Sequence, residues 1–183
     1  AKVVRERVGS EIWDKYFTFA VERNPWEKVL SNYWAYKGYR HGFGGRSEQI
    51  SLVERMWRKA SGYPWTLHGW LKYRKMRGWL SGTIRLPSSI EKYTDSTGEL
   101  MVDAVYRYEQ LDTHLKHLSD RLGFEIHLQA NEGRGTRKNR KPYAESYTDW
   151  SQQLVAERFA DDLELLQYKF NQPAPLLPIE ASR

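Results

Sequence analysis

FAVERNPWEKVLSNY, residues 19–33, decides how this chain reads. Tyr16 to Val21 (YFTFAV) is short, aromatic and apolar, with the length and composition of a buried strand. Arg23 leaves its end. Asn24 is a good N-cap, and Pro25 is tolerated at the first helical position. Pro25 to Tyr36 then predicts a helix, with Trp26, Val29, Leu30, Tyr33 and Trp34 on one apolar stripe. Strand, tight turn and helix make half of a βαβ unit. The turn also has a chemistry. Unpaired N–H groups and the macrodipole at a helix start attract phosphate. Arg23 adds a bidentate guanidinium fork, and Ser31 stands two turns further on. An ordinary helix start, with Arg23 in a surface ion pair and Ser31 in water, fits the same residues. Physics alone leans that way.

Outward from this stretch the pattern alternates. Val3 to Tyr16 predicts a helix turned at Gly9-Ser10. Lys37 to Arg46 is a glycine-rich loop, and Ser47 caps a helix to about Ala60. Residues 65–80 (WTLHGWLKYRKMRGWL) are ambiguous, being amphipathic in part and twice interrupted by Gly. Leu86 to Gly98 is a polar connection. Leu100 to Tyr106 (LMVDAVY) is a second candidate buried strand. Glu109 to Leu122 is a helix, with Leu111, Leu115, Leu118 and Leu122 at helical spacing and Gly123 at its end. Gln129 to Pro142 is a basic loop. Thr148 or Asp149 caps a last helix to about Leu166. Pro173, Pro175 and Pro178 make residues 171–183 a proline-rich, non-helical tail. Strands alternating with helices predict α/β layers around a mostly parallel sheet in one domain, residues 1–170.

Composition bounds the function. With 183 residues, 8 Trp, 12 Tyr and 6 Phe, the chain can bury a core and is not expected to be disordered. No cysteine means no disulfide, thiolate metal site or Cys nucleophile. No apolar run approaches the ~20 residues that span a bilayer, and nothing resembles a signal peptide. The net charge of +6 is unevenly spread: residues 37–92 carry +9 and residues 134–143 carry +5, separated by an acidic segment. Such islands are either solvated surface or anion-binding faces.

Three blocks in order carry a resemblance. Arg23-Asn24-Pro25-Trp26 with Val29, Leu30, Ser31 and Tyr33 resembles the 3′-phosphate-binding strand–turn–helix of sulfotransferases. Asp103 to Leu111 (DAVYRYEQL) is similar to the strand ending in an Arg-aromatic-Glu turn in sulfotransferase family 2, the carbohydrate type. Val155 to Tyr168 (VAERFADDLELLQY) is similar to that family's closing helix. Asn131 to Tyr147 stands where its Asn- and Arg-rich loop precedes a Tyr pair. The match covers residues 10–36 and 100–170. It implies a three-layer, P-loop NTPase-like α/β fold. It also implies transfer of a sulfuryl group from 3′-phosphoadenosine 5′-phosphosulfate (PAPS) to a hydroxyl or amine, on a saccharide, with no metal. It gives Arg23 and Ser31 the 3′-phosphate and makes Arg137 the loop arginine that closes over the nucleotide. Asn131 matches the loop's asparagine. Lys138, Arg140 and Lys141 are alternatives to Arg137, and a flexible basic loop is the plain reading of all four.

Parts of the family pattern are missing. No G-x-x-x-x-G-K-[ST] turn occurs. Gly42-Phe43-Gly44-Gly45-Arg46 and Gly133-Arg134-Gly135-Thr136 contain glycines but do not follow strands. The family's phosphosulfate turn and general base would fall at or before Ala1, so the fold is expected to be N-terminally incomplete and the chain alone inactive. None of His41, His68, His114, His117 and His127 is assigned as a base. His114 and His117, three apart, are expected to be exposed rather than metal ligands, and no metal residue is assigned. Residues 63–80 interleave Trp65, Trp70, Tyr73 and Trp79 with Lys72, Arg74, Lys75 and Arg77. That mixture suits an anionic glycan or single-stranded nucleic acid, and equally a helix pair with Trp in the core. The resulting expectation is a nucleotide co-substrate, a saccharide or other small hydroxyl or amine acceptor, no nucleic acid and no membrane segment. The compartment expected is the cytoplasm, or the Golgi lumen if an anchor precedes Ala1. Two further readings stay open: a nucleic-acid-binding module, and a noncatalytic sulfotransferase-like partner domain.

Overall fold

Gly9 divides the first helical segment. In the computed structural model, which describes residues 1–41, 56, 60, 66–81, 89–127 and 141–181, α1 spans Lys2–Val8 and α2 spans Ser10–Lys15. Gly9 stands at φ +86°, a conformation that L side chains rarely adopt, and its N–H closes α1 on the Arg5 carbonyl at 2.9 Å. The residues group into two compact units. One comprises Ala1–Pro25, Ser88–Ala130 and Phe159–Arg183, the other Trp26–Pro87 and Asn131–Arg158.

The first unit holds the sheet. β1, Phe19–Glu22, pairs in parallel with β2, Ala104–Arg107, setting Phe19 opposite Ala104 and Glu22 opposite Arg107. Both strands lie later in the sequence than their apolar runs suggest, because polar residues fix the register. Thr18 donates its N–H and its hydroxyl to Asp103 Oδ2, each at 2.7 Å, and the Asp103 N–H returns to the Thr18 carbonyl at 2.9 Å. A third strand, β3 (Ile179–Glu180), pairs antiparallel with β2, so the order is β1-β2-β3. The tail is non-helical as its prolines require, but it is not merely a tail. Proline excludes helix while leaving extended backbone available, and β3 begins directly after Pro178.

One face of β2 meets α5 (Leu111–Leu122), which ends at Gly123 in the left-handed conformation, φ +74°. Ala104, Tyr106 and Leu118 form the core there, with Phe17 and Ile126 packed against them. The leucine stripe does not fully mark the buried face. His114 is 2 % exposed, its ring 5.1 Å from Tyr106, while Leu122 is exposed. His114, expected in water, is thus a core residue. Its Nε2 has no hydrogen-bond partner, and burial, then the Arg107 and His117 charges, push its pKa down. His117 keeps the outer position, with Nδ1 3.5 Å from the Tyr106 hydroxyl.

On β2, Arg107 is 1 % exposed. A guanidinium cannot shed its charge, so it must be solvated by the protein. Arg107 Nε and Nη2 donate to the Leu166 carbonyl at 3.1 and 2.9 Å, and Nη1 donates to the Pro175 carbonyl at 3.5 Å and to that of Leu177. Leu166 ends α7 (Ala160–Leu166), where helix carbonyls lack intrahelical donors and the dipole is negative. The cation therefore satisfies a helix end and the tail together. The expected single closing helix is two, α6 (Asp149–Arg158) and α7, separated at buried Phe159, whose ψ of +29° leaves the helical range.

In the second unit, α3 runs Pro25–His41 and α4 runs Leu67–Ser81. Residues 37–41, expected in the loop, continue α3; a single helical Gly costs only ~1 kcal/mol. Residues 42–46 and most of the helix expected over 47–60 lie outside the described residues. The ambiguous 65–80 segment is helical. Trp26, Val29, Leu30 and Tyr33 are buried as the stripe requires, as are Leu67, Trp70, Leu71 and Tyr73. Tyr33 meets Trp70 at 5.8 Å, and Trp26 Nε1 donates to the Gln152 carbonyl at 3.1 Å.

Two outcomes are expected. Arg107→Ala strips three carbonyls of a charged donor and should cost about 3 kcal/mol in urea unfolding; a loss below about 1 kcal/mol would show that water replaces the guanidinium. His114 has a pKa below its unfolded value, so the unfolded chain binds the extra proton. Stability is then complete above the unfolded histidine pKa of about 6.5 and falls as pH drops below it. His114→Phe should flatten this slope between about pH 7 and 5 in thermal melts.

Candidate functional site

The end of β1 is where an anion site was expected. Glu22, the last strand residue, is buried beside Arg107 in the register. Arg23 follows, half-buried, its guanidinium carbon 5.0 Å from the centroid of the Tyr108 ring, within cation–π reach. Asn24 is 3 % exposed. Its N–H donates to Glu109 Oε1 at 2.8 Å. Pro25 opens α3, as the sequence predicts, and Glu27 sits in the first turn. Arg23 is therefore seated at the carboxyl end of a parallel strand, the place where α/β sheets receive ligands. Ser31 is exposed on α3. Arg23 belongs to the first unit and Ser31 to the second. Arg137, Asn131, Lys138 and Arg140 lie outside the described residues. Lys141 is exposed and pairs with Glu145 at 3.5 Å.

Beside this turn lie bonds between residues that sequence reasoning gave no role. Glu109 Oε2 accepts the Tyr168 hydroxyl at 2.6 Å, a short charge-assisted bond. Tyr168 is buried, and burial followed by its bond to Glu109 pushes its pKa up, so it remains a donor. Tyr93 is also buried, with no hydrogen-bond partner for its hydroxyl, and burial, then the Glu22 and Asp162 charges, raise its pKa. Asp162, 1 % exposed, accepts the Ser89 N–H at 3.4 Å. The Arg-aromatic-Glu sequence was visible. Its meaning was not, because the partners of Glu109 lie 85 and 59 residues away.

The second unit has a cationic aromatic surface. Trp150, in the first turn of α6, has Lys72 Nζ at 5.9 Å and Lys75 Nζ at 5.8 Å from its ring centroid. The His68 ring meets the same indole at 4.8 Å, and His68 Nδ1 lies 3.0 Å from Thr148 Oγ1. Burial, then the Lys72 charge, lowers the His68 pKa, so the imidazole is neutral at pH 7. Thr148 and Ser151 bond reciprocally, with Thr148 N to Ser151 Oγ at 2.8 Å, which makes Thr148 the cap of α6. The Tyr147 hydroxyl donates to the Trp26 carbonyl at 2.7 Å, and burial raises its pKa.

The Trp-rich segment thus divides by side. Trp70 and Tyr73 are core, whereas Lys72 and Lys75 face water. The ring those lysines approach comes from α6 instead. Arg74 is an exception, 5.4 Å from the Trp70 ring. Trp65 and the side chains of Arg77 and Trp79 lie outside the description. His127 is exposed and 3.3 Å from Glu125. Among the described residues no three His, Asp or Glu side chains group as a metal site, and no helix is long and apolar enough to cross a membrane.

No family model matches the chain. It is similar to an uncharacterized protein of Archaeoglobus fulgidus, 27% identical over 130 residues, which is 70% of this chain and 85% of that protein. No solved structure matches it.

Proposed function

We propose that this chain carries the 3′-phosphate-binding turn of a PAPS-dependent sulfotransferase with a three-layer, P-loop-like α/β fold. The observation that carries the reading is Arg23. It stands directly after a strand parallel to β2 and one residue before a Pro-initiated helix, with its guanidinium carbon 5.0 Å from the Tyr108 ring centroid. A phosphate at that turn meets a planar fork matched to its oxygens. Ser31 adds a hydroxyl from α3. By the resemblance, Arg137 is the loop arginine that closes over the nucleotide and Asn131 is that loop's asparagine.

In the reaction an acceptor oxygen or nitrogen forms a bond to the sulfur of PAPS, and the bond from sulfur to the 5′-phosphate oxygen breaks. The electron pair leaves with adenosine 3′,5′-bisphosphate, and a base takes the acceptor proton. Positioning and neutralisation of the leaving phosphate supply most of the acceleration in such transfers. Arg23 and Ser31 fix the far end of the nucleotide and so set its register. A saccharide acceptor is supported by the Trp150 ring with Lys72 and Lys75 beside it, since indole faces stack on sugar rings and ammonium groups pair with carboxylate or sulfate.

Adenosine 3′,5′-bisphosphate should bind in calorimetry, and Arg23→Ala should weaken it at least about tenfold by removing a charge-assisted pair. Ser31→Ala should weaken it less. Adenosine 5′-phosphate, without the 3′-phosphate, should be insensitive to both changes. Failure of the bisphosphate to bind the parent protein would sink this reading. Steeply salt-dependent oligonucleotide binding, indifferent to Arg23→Ala, would favour a nucleic-acid module instead.

A further inference from the structure

A carboxylate beside a phosphate site is a liability, since like charges repel across a few ångströms. Glu109 is such a carboxylate. It lies at the surface next to Tyr108, the residue that seats Arg23. Yet both of its oxygens are engaged, by the Asn24 N–H at 2.8 Å and the Tyr168 hydroxyl at 2.6 Å. Two donors from distant parts of the chain thus converge on one side chain. The Asn24 N–H belongs to the same peptide link that follows Arg23, so fixing it fixes the direction in which the Arg23 side chain departs. Tyr168 cannot drift, because it is buried and comes two residues after Leu166, whose carbonyl Arg107 holds.

We infer that Glu109 and Tyr168 are positioning residues for Arg23. Glu109 ties the turn of residues 23–24 to the end of β2, and Tyr168 holds the Glu109 carboxylate in the rotamer that does so. Neither touches the nucleotide. The bound N–H and O–H spread the carboxylate charge, which lowers its repulsion of an incoming phosphate. The Tyr168 hydroxyl joins the C-terminal segment to Glu109. The inference rests on the 3′-phosphate reading of Arg23. Its geometric part, the fixing of the turn, stands on the distances alone.

The test compares adenosine 3′,5′-bisphosphate with adenosine 5′-phosphate by calorimetry in the full chain. Glu109→Ala and Tyr168→Phe should each cut the preference for the bisphosphate about tenfold, the worth of one charge-assisted bond, while leaving the monophosphate unchanged. Glu109→Gln keeps an acceptor for the Asn24 N–H and should retain most of the preference. In an Arg23→Ala background the same changes should have no further effect. An undiminished preference, or equal weakening of both nucleotides, would overturn the inference. A parent protein with no preference would overturn the sulfotransferase reading instead. Hydrogen exchange then decides the positioning role. Faster exchange of the Asn24 amide in Glu109→Ala and Tyr168→Phe supports it, and unchanged exchange rejects it.

Discussion

The pairing of β1 with β2 is the constraint on which the described structure turns. Parallel strands cannot be joined by a tight turn, so the chain must leave, make a long excursion and return. The register of that return is set by two polar clamps. At one end Thr18 and Asp103 exchange backbone and side-chain bonds, and at the other the Asn24 N–H reaches Glu109. A slip of one residue would break both clamps and turn Tyr106 away from Leu118. Two apolar runs define strands only loosely; hydrogen-bonding side chains at their margins define them to the residue.

That division explains what the sequence disclosed. The βα turn at residues 19–25, the break at Gly9 and the left-handed stop at Gly123 were legible because each is local: a cap, a glycine, a proline. The buried faces of α3 were legible because the stripe is large and aromatic. His114 was not, because a leucine series at nearly the same spacing pointed to an adjacent face. β3 was not, because two residues beside proline carry no periodicity. Arg23 and Ser31 were singled out through a chain-local motif, whereas Tyr168 was hidden, since its acceptor lies far away in sequence. Asn131 and Arg137 fall outside the described residues, so their part rests on the sequence alone.

The first unit is also unusually invested in buried polarity. Glu22, Asn24, Arg107, His114 and Asp162 are all nine-tenths or more buried. Such groups cost stability unless partnered, and they specify geometry when they are. Arg107 shows the trade directly. Among the described residues it bonds to no carboxylate but gathers carbonyls from a helix end and an extended tail. A hydrophobic residue there would leave those carbonyls without a donor. His114, by contrast, has an unsatisfied ring nitrogen, which makes it the weaker link as pH falls.

The way the first unit is stitched from three stretches of chain has a consequence for its synthesis. Residues 1–25 are translated before residues 104–107, so β1 must wait for β2 before the two can pair. Arg107 in turn has no acceptors until Leu166 and Leu177 have been made. Non-local contacts must pay for loop closure before they return any stabilisation. The described sheet is therefore secured late, and the pieces of the second unit are translated between those of the first. A nascent chain arrested before residue 166 would carry a buried-type arginine with nothing to hold it. Residues 166–180, which look dispensable in the sequence, are what hold Arg107 and extend the sheet past β2.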